Sequence, residues 1–151
     1  GGADVGAFNA SVGVPGSFTW TNENSLANPI PRNSAMNIAW TGGGTGLVTI
    51  TGMAMAQSGG TTDNPIYDAT IFSCIAQASA GNFSVPSSVL TQLPAVSSDI
   101  TSGSMGFLSV LAVPDASKGQ GVFTAPLTAG GSIDQGYMSY AIGTLKMVSW
   151  Q

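Results

Sequence analysis

A chain of 151 residues with 7% charged side chains, a net charge of −4 and no histidine holds few of the groups that acid–base chemistry or phosphate neutralisation require. Its three cations, Arg32, Lys118 and Lys146, are too few and too scattered to release a run of counterions, which sets nucleic acid aside as a partner. No stretch approaches the roughly 20 consecutive apolar residues that span a bilayer, so no membrane insertion is expected.

The length suits one domain with one core, since a compact fold of this size buries roughly 68–70% of its unfolded surface. The apolar fraction of 43% is ordinary, so neutral Gly, Ser, Thr, Asn and Gln supply the polarity that Lys and Glu supply elsewhere. That balance suits an extracellular or cell-surface protein. The chain opens Gly1-Gly2 with no initiator Met and no charged-then-apolar leader. Any leader is therefore expected to have been removed already, which permits secretion. The single cysteine, Cys74, lies inside the apolar run 70–76 and has no internal partner. It is expected as a small buried hydrophobe rather than an intermolecular bridge.

Along the chain, residues 1–16 form a Gly-rich, weakly β-patterned arm that should fray unless something ties it down. The domain proper is expected over 17–151. Apolar residues then recur with period two, carried by aromatic and β-branched side chains, which predicts half-buried strands. The first spans 17–21, with Phe18 and Trp20 on one face. The second spans 35–41, with Met36, Ile38 and Trp40 inward. Between them Pro29 and Pro31 make 22–33 a loop. Gly42 to Gly46 should be a hairpin turn, because glycine alone takes positive φ freely. No Lys-Ser or Lys-Thr pair follows it, which argues against a phosphate cradle.

A strand from 47 to about 55, a polar connection over 58–65 and a strand from 66 to 76 come next. A turn over 78–82 leads into 83–85. One short helical turn fits 85–94, with Pro86 at its start and Pro94 at its end. Later strands are expected at 105–113 and 121–125, with a final pair or one long bent strand over 137–150. Roughly seven to nine strands with turns every 8–12 residues or so predict an all-β antiparallel sandwich, with a small barrel as the structural alternative.

The side chains for catalysis are scarce. Without histidine no Ser-His-Asp or Cys-His constellation can be assembled within the chain. Of Asp4, Glu23, Asp63, Asp68, Asp99, Asp115 and Asp134, only Asp63 and Asp68 are near neighbours in sequence. With Asn64 they match no EF-hand spacing, so they read as solvated loop acids and not as a calcium site. No catalytic residue, metal ligand or cofactor is assigned, and an enzyme is not expected. Trp20 and Trp40 alternate with polar neighbours and should be core. Tyr137 and Tyr140 have opposite parity, which places them on different faces and weakens the case for a sugar-stacking platform. Asn9 and Asn82 each stand in a glycosylation sequon.

The fragments Phe18-Thr-Trp-Thr-Asn22, Ile38-Ala-Trp-Thr-Gly-Gly43, Val48-Thr-Ile-Thr-Gly52, Phe72-Ser-Cys74, Gly81-Asn-Phe-Ser-Val-Pro86, Val89-Leu90, Leu93-Pro94 and Gly106-Phe-Leu-Ser-Val110 occur in this order. In them the chain resembles uncharacterised immunoglobulin-like C-terminal domains of secreted acidobacterial proteins. The likeness runs from about Phe18 to Trp150 and leaves out the arm. It implies an extracellular immunoglobulin-like β-sandwich and transfers no catalytic residue.

Two functional readings follow. In the first, the chain is a non-enzymatic structural subunit of a surface fibre or layer, a homo-oligomer or polymer. Few charges guard its strand edges, and the arm residues Asp4, Val5, Ala7, Phe8, Ala10, Val12 and Val14 are candidates for donation to a neighbour's sheet. In the second, the chain is an adhesive module of a larger secreted protein that binds a glycan or another partner through loops at one end of the sandwich.

Overall fold

The computed structural model of the chain describes residues 6–99 and 103–151. Among them are nine strands: β1 (Phe18–Trp20), β2 (Met36–Gly42), β3 (Leu47–Gly60), β4 (Pro65–Gln77), β5 (Asn82–Val85), β6 (Met105–Val113), β7 (Val122–Pro126), β8 (Ser132–Tyr137) and β9 (Ile142–Met147). A single helical turn, α1 (Ser87–Leu90), follows Pro86 as expected. All strand pairs are antiparallel. One sheet has the order β1-β2-β5, a second β4-β3-β6-β9, and β7 and β8 pair only with each other as a third.

The core lies where alternation places it. Met36, Ile38 and Trp40 of β2 and Trp20 of β1 are buried, and they cluster with Val48, Ile50 and Ala54 of β3 and with Leu108 and Val110 of β6. Cys74 is half-buried and packs against the same cluster. Each indole also needs an acceptor for its N–H. Trp20 Nε1 donates to Asn22 Oδ1 at 2.8 Å, and Trp40 Nε1 donates to the Ala78 carbonyl at 2.8 Å. Asn22 Oδ1 further accepts from the Ala39 amide at 2.9 Å, so one side chain closes the end of the β1-β2 pair. The β2-β3 reversal runs through Gly42, Gly43 and Gly44 at φ of 84°, 79° and 61°. A turn with positive φ is as expected, but the hairpin is not formed. β2 pairs with β1 and β5 while β3 pairs with β4 and β6, so the glycines carry the chain from one sheet to the other.

The chain's end departs from expectation. In place of one bent strand or a pair over 137–150, β8 starts at Ser132, pairs with β7 and stops at Tyr137, while β9 pairs with β6. Tyr140 lies between them, outside both strands, so the parity argument for Tyr137 and Tyr140 does not apply. The segment of β8 reads Ser-Ile-Asp-Gln-Gly-Tyr, in which only Ile133 and Tyr137 signal a strand. Its pairing comes from Phe123 of β7, whose ring occupies the space that a side chain on Gly136 would fill.

Beyond β9 the chain turns into the core. Trp150 is 1% exposed and Val148 equally so. The Trp150 indole N–H donates to the Met53 carbonyl at 2.9 Å, and its ring meets Phe72 edge-on at a centroid distance of 6.1 Å. Room for these rings is made by two strand glycines. A Cβ on Gly52 would stand 2.1 Å from the Phe72 ring, and one on Gly106 would stand 2.8 Å from Trp150.

The β6-β7 connection is held by Asp115, itself buried. It caps the turn Ala116–Lys118 by accepting from the Ser117 amide at 3.1 Å, and it pairs with Lys118 at 3.3 Å. The Ser117 bonds, with Lys118 beside them, hold its carboxyl below the usual carboxylate range.

Two tests follow from this packing. Gly106→Val overpacks the Trp150 site and should cost about 1–3 kcal/mol, and Trp150→Ala about 3–5 kcal/mol, both read as lower urea midpoints at unchanged slope. Because the Asp115 pKa is depressed on folding, its contribution is present above the ordinary carboxylate pKa and is lost as pH falls through the depressed value. Thermal melts of Asp115→Asn between pH 2 and 6 should therefore show a shallower acid limb than the parent chain.

Candidate functional site

The arm is the part of the chain least engaged with the body. Residues 6–16 join no strand ladder. They are tied down at one end, where the Gly6 amide donates to the Ala129 carbonyl at 3.2 Å and the Thr128 amide donates to Ala7 at 2.9 Å. Phe8 stacks on Phe123 at 6.1 Å yet remains 45% exposed. Of the candidate arm residues, Ala7, Phe8, Ala10 and Val14 are exposed and Val12 is half-buried; Asp4 and Val5 lie outside the described residues. Phe8, Ala10, Val12 and Val14 share one parity and alternate with Asn9, Ser11 and Gly13, the period of a strand with one apolar face. Most backbone polar groups of this stretch therefore have no ladder partner while its sequence is patterned for one.

Acceptors for such a segment lie at the sheet edges. β4 is 13 residues long, pairs among the described residues with β3 alone and carries a single charge, Asp68. Natural edge strands are normally short, bulged or guarded by Lys and Pro. Here one register shift at Gln57/Gly59 and Pro65 at the strand's start interrupt it only near the hairpin end. Along the remaining length no second strand among the described residues pairs with its outer N–H and C=O groups.

Charged side chains are engaged internally. Arg32 Nη1 donates to the Leu93 carbonyl at 2.5 Å, Lys146 Nζ donates to Glu23 O at 2.9 Å, and Lys118 binds Asp115 and Gln77. The three cations thus sit at separate places on the body and form no patch. Asp63 lies in the β3-β4 turn, which the Thr61 and Asn64 backbones close, whereas Asp68 stands four residues up a strand, roughly 13 Å from Asn64. These acids do not converge, and among the described residues no group of three His, Cys, Asp or Glu side chains gathers. Burial pushes the Cys74 thiol pKa up, which favours the protonated thiol.

Aromatic rings are equally unhelpful to a sugar. Trp20, Trp40 and Trp150 are all buried, and the exposed rings Phe8, Tyr67 and Tyr137 stand on three different elements. An open cleft of about 380 Å³ near the chain's end is lined by small groups such as Pro29, Ser97 and Ser149, with the Trp150 ring buried behind them. Asn9 and Asn82 are exposed. Among the described residues no helix is long and apolar enough to cross a membrane.

The edge position of β4 escaped the sequence reading, because a strand's neighbours are set by topology and not by its own residues. A signal was present in composition. Residues 66–76 and 105–113 are apolar at both parities, the pattern of strands with two apolar faces. No protein-family model, curated protein or solved structure matches this chain.

Proposed function

We propose that the chain is a non-enzymatic structural subunit that self-associates outside the cell, donating its arm to a neighbour's sheet to build a surface fibre or layer. The observation that carries this reading is the arm itself. Its described residues are patterned as a strand and largely exposed, and they are tied to the body by two backbone hydrogen bonds, one ring stack and the packing of Pro15 beside Gly44. Transfer to an edge such as β4 exchanges those few contacts for a ladder of main-chain bonds, with alternate apolar side chains laid on the sheet. Such a contact is head-to-tail and need not close, so it propagates into a filament.

The paucity of charge supports the same reading, as few like charges oppose close approach of copies and few edge lysines block pairing. An immunoglobulin-like form of the sandwich, with an extracellular location, is the finer assignment that goes with the resemblance to secreted bacterial domains. The glycan-binding alternative has no exposed aromatic row to support it.

Removal of residues 1–16 should abolish assemblies seen by electron microscopy and light scattering. A synthetic peptide of residues 6–16 added in excess should cap the intact chain at short lengths. Unchanged polymers in the deleted chain would refute arm donation.

A further inference from the structure

We propose that the outer face of the four-stranded sheet is a docking surface for the same face of a second copy of this chain, a contact that does not use the arm. The β4-β3-β6-β9 registers align Ile71, Met53, Phe107 and Met147 in one row across the face. The next row is Ser73, Thr51, Ser109 and Leu145, and the one after begins with Ile75. Ile71 and Ile75 are each 60% exposed and Leu145 is 63% exposed. These are large apolar side chains on a face that no other element of the described chain covers to that depth.

No charge interrupts this face. The two charged residues in the ladder, Asp68 and Lys146, pair with Ala56 and Leu108, which pack into or against the core. They therefore belong to the opposite side of the sheet. A charged partner, whether an acidic peptide or a polyanion, finds nothing to pair with here. A second copy does fit: each molecule carries net charge −4, and this face lets the two meet without placing like charges opposite one another.

Size and relief agree with that occupant. The nine residues paired between β3 and β6, six of them reaching β9, at about 3.4 Å each on strands about 4.8 Å apart, make roughly 540 Å² of sheet. Two copies bury about 1,100 Å², near the lower end for a specific interface, and a largely apolar face of this size is large for a monomer. The row of small hydroxyls leaves a groove of about 280 Å³, flanked by Met53, Ile71, Phe107 and Leu145. The bulky row of a facing sheet can enter it, as inner faces interdigitate about 10 Å apart in sandwiches. Part of the polar row is already paired within the chain: Thr51 and Ser73 share a hydroxyl hydrogen bond at 3.4 Å, and beside the groove the Thr49 hydroxyl donates to the Leu111 carbonyl at 3.4 Å.

Analytical ultracentrifugation of the full chain tests the contact. Ile71→Lys and Leu145→Lys, each counted twice in a symmetric pair, should weaken dimerisation about 100-fold. Ile66→Lys, at an equally exposed isoleucine on the same strand but of opposite parity, should leave it unchanged. As a measurement that adds no charge, Ser109→Cys in a Cys74→Ser background should be joined between copies by a short bismaleimide, whereas Ser58→Cys should not. A parent chain that is monomeric at 100 μM overturns the proposal, as does association untouched by both lysines. Monomers that instead bind neutral phosphatidylcholine vesicles through Ile71 and Leu145 would overturn it too, assigning the face to a lipid surface. If loss of the arm leaves polymers intact while these lysines dissolve the pair, arm donation fails and the sheet contact stands. The converse outcome separates them the other way.

Discussion

The fit of two aromatic rings over two glycines is the constraint on which the rest of the structure depends. Phe72 of β4 lies over Gly52 of β3, and Trp150 lies over Gly106 of β6. The rings then meet edge to face, a geometry that suits the aromatic quadrupole. A residue three positions beyond β9 thus becomes a central piece of the core. Around it the backbone is stitched from both sides: Trp150 exchanges bonds with Val96, and Ile30 bonds to Ser149 and Gln151. The loop 22–33, the segment after α1 and the chain's end are therefore joined by backbone bonds around one buried side chain. Any residue larger than glycine at either position would displace a ring and loosen all three.

This dependence explains what could be read from the sequence and what could not. Trp20, Trp40, Met36 and Ile38 declare themselves by period two, because each strand supplies its own alternation. The Gly42 to Gly44 turn and the single turn after Pro86 are equally local, set by backbone preference at one or two residues. Trp150 is different. Nothing in Val-Ser-Trp-Gln says that the tryptophan returns to the sheet centre, since its partners Gly106, Met53 and Phe72 are 44 to 97 residues away. For β8 the cause was weak local preference, overruled by Phe123 lying over Gly136.

The arm was visible as a composition shift, and its patterning through Phe8, Ala10, Val12 and Val14 was there to be read. Its anchorage was not, for Phe8 rests on β7 and Ala7 on the β7-β8 turn, both over a hundred residues distant. That same hairpin pairs with no other sheet. The hydrogen bonds and ring stack of the described arm are therefore made to the hairpin and not to the core sheets, which it meets only where Pro15 packs beside Gly44.

Scarcity of charge connects the two surfaces. With only three cations in the chain, each is committed to a carbonyl or a carboxylate of its own body, and none remains to guard the long edge of β4 or the outer face beside it. Edge and face belong to one sheet, so they present orthogonal contacts: hydrogen bonds in the plane and apolar packing perpendicular to it. An arm donated along the edge repeats head to tail and generates length, while a face paired about a twofold axis generates width. Neither contact occupies the groups the other needs. A subunit with both can therefore form paired filaments from a single chain, and the low charge is what leaves both contacts open.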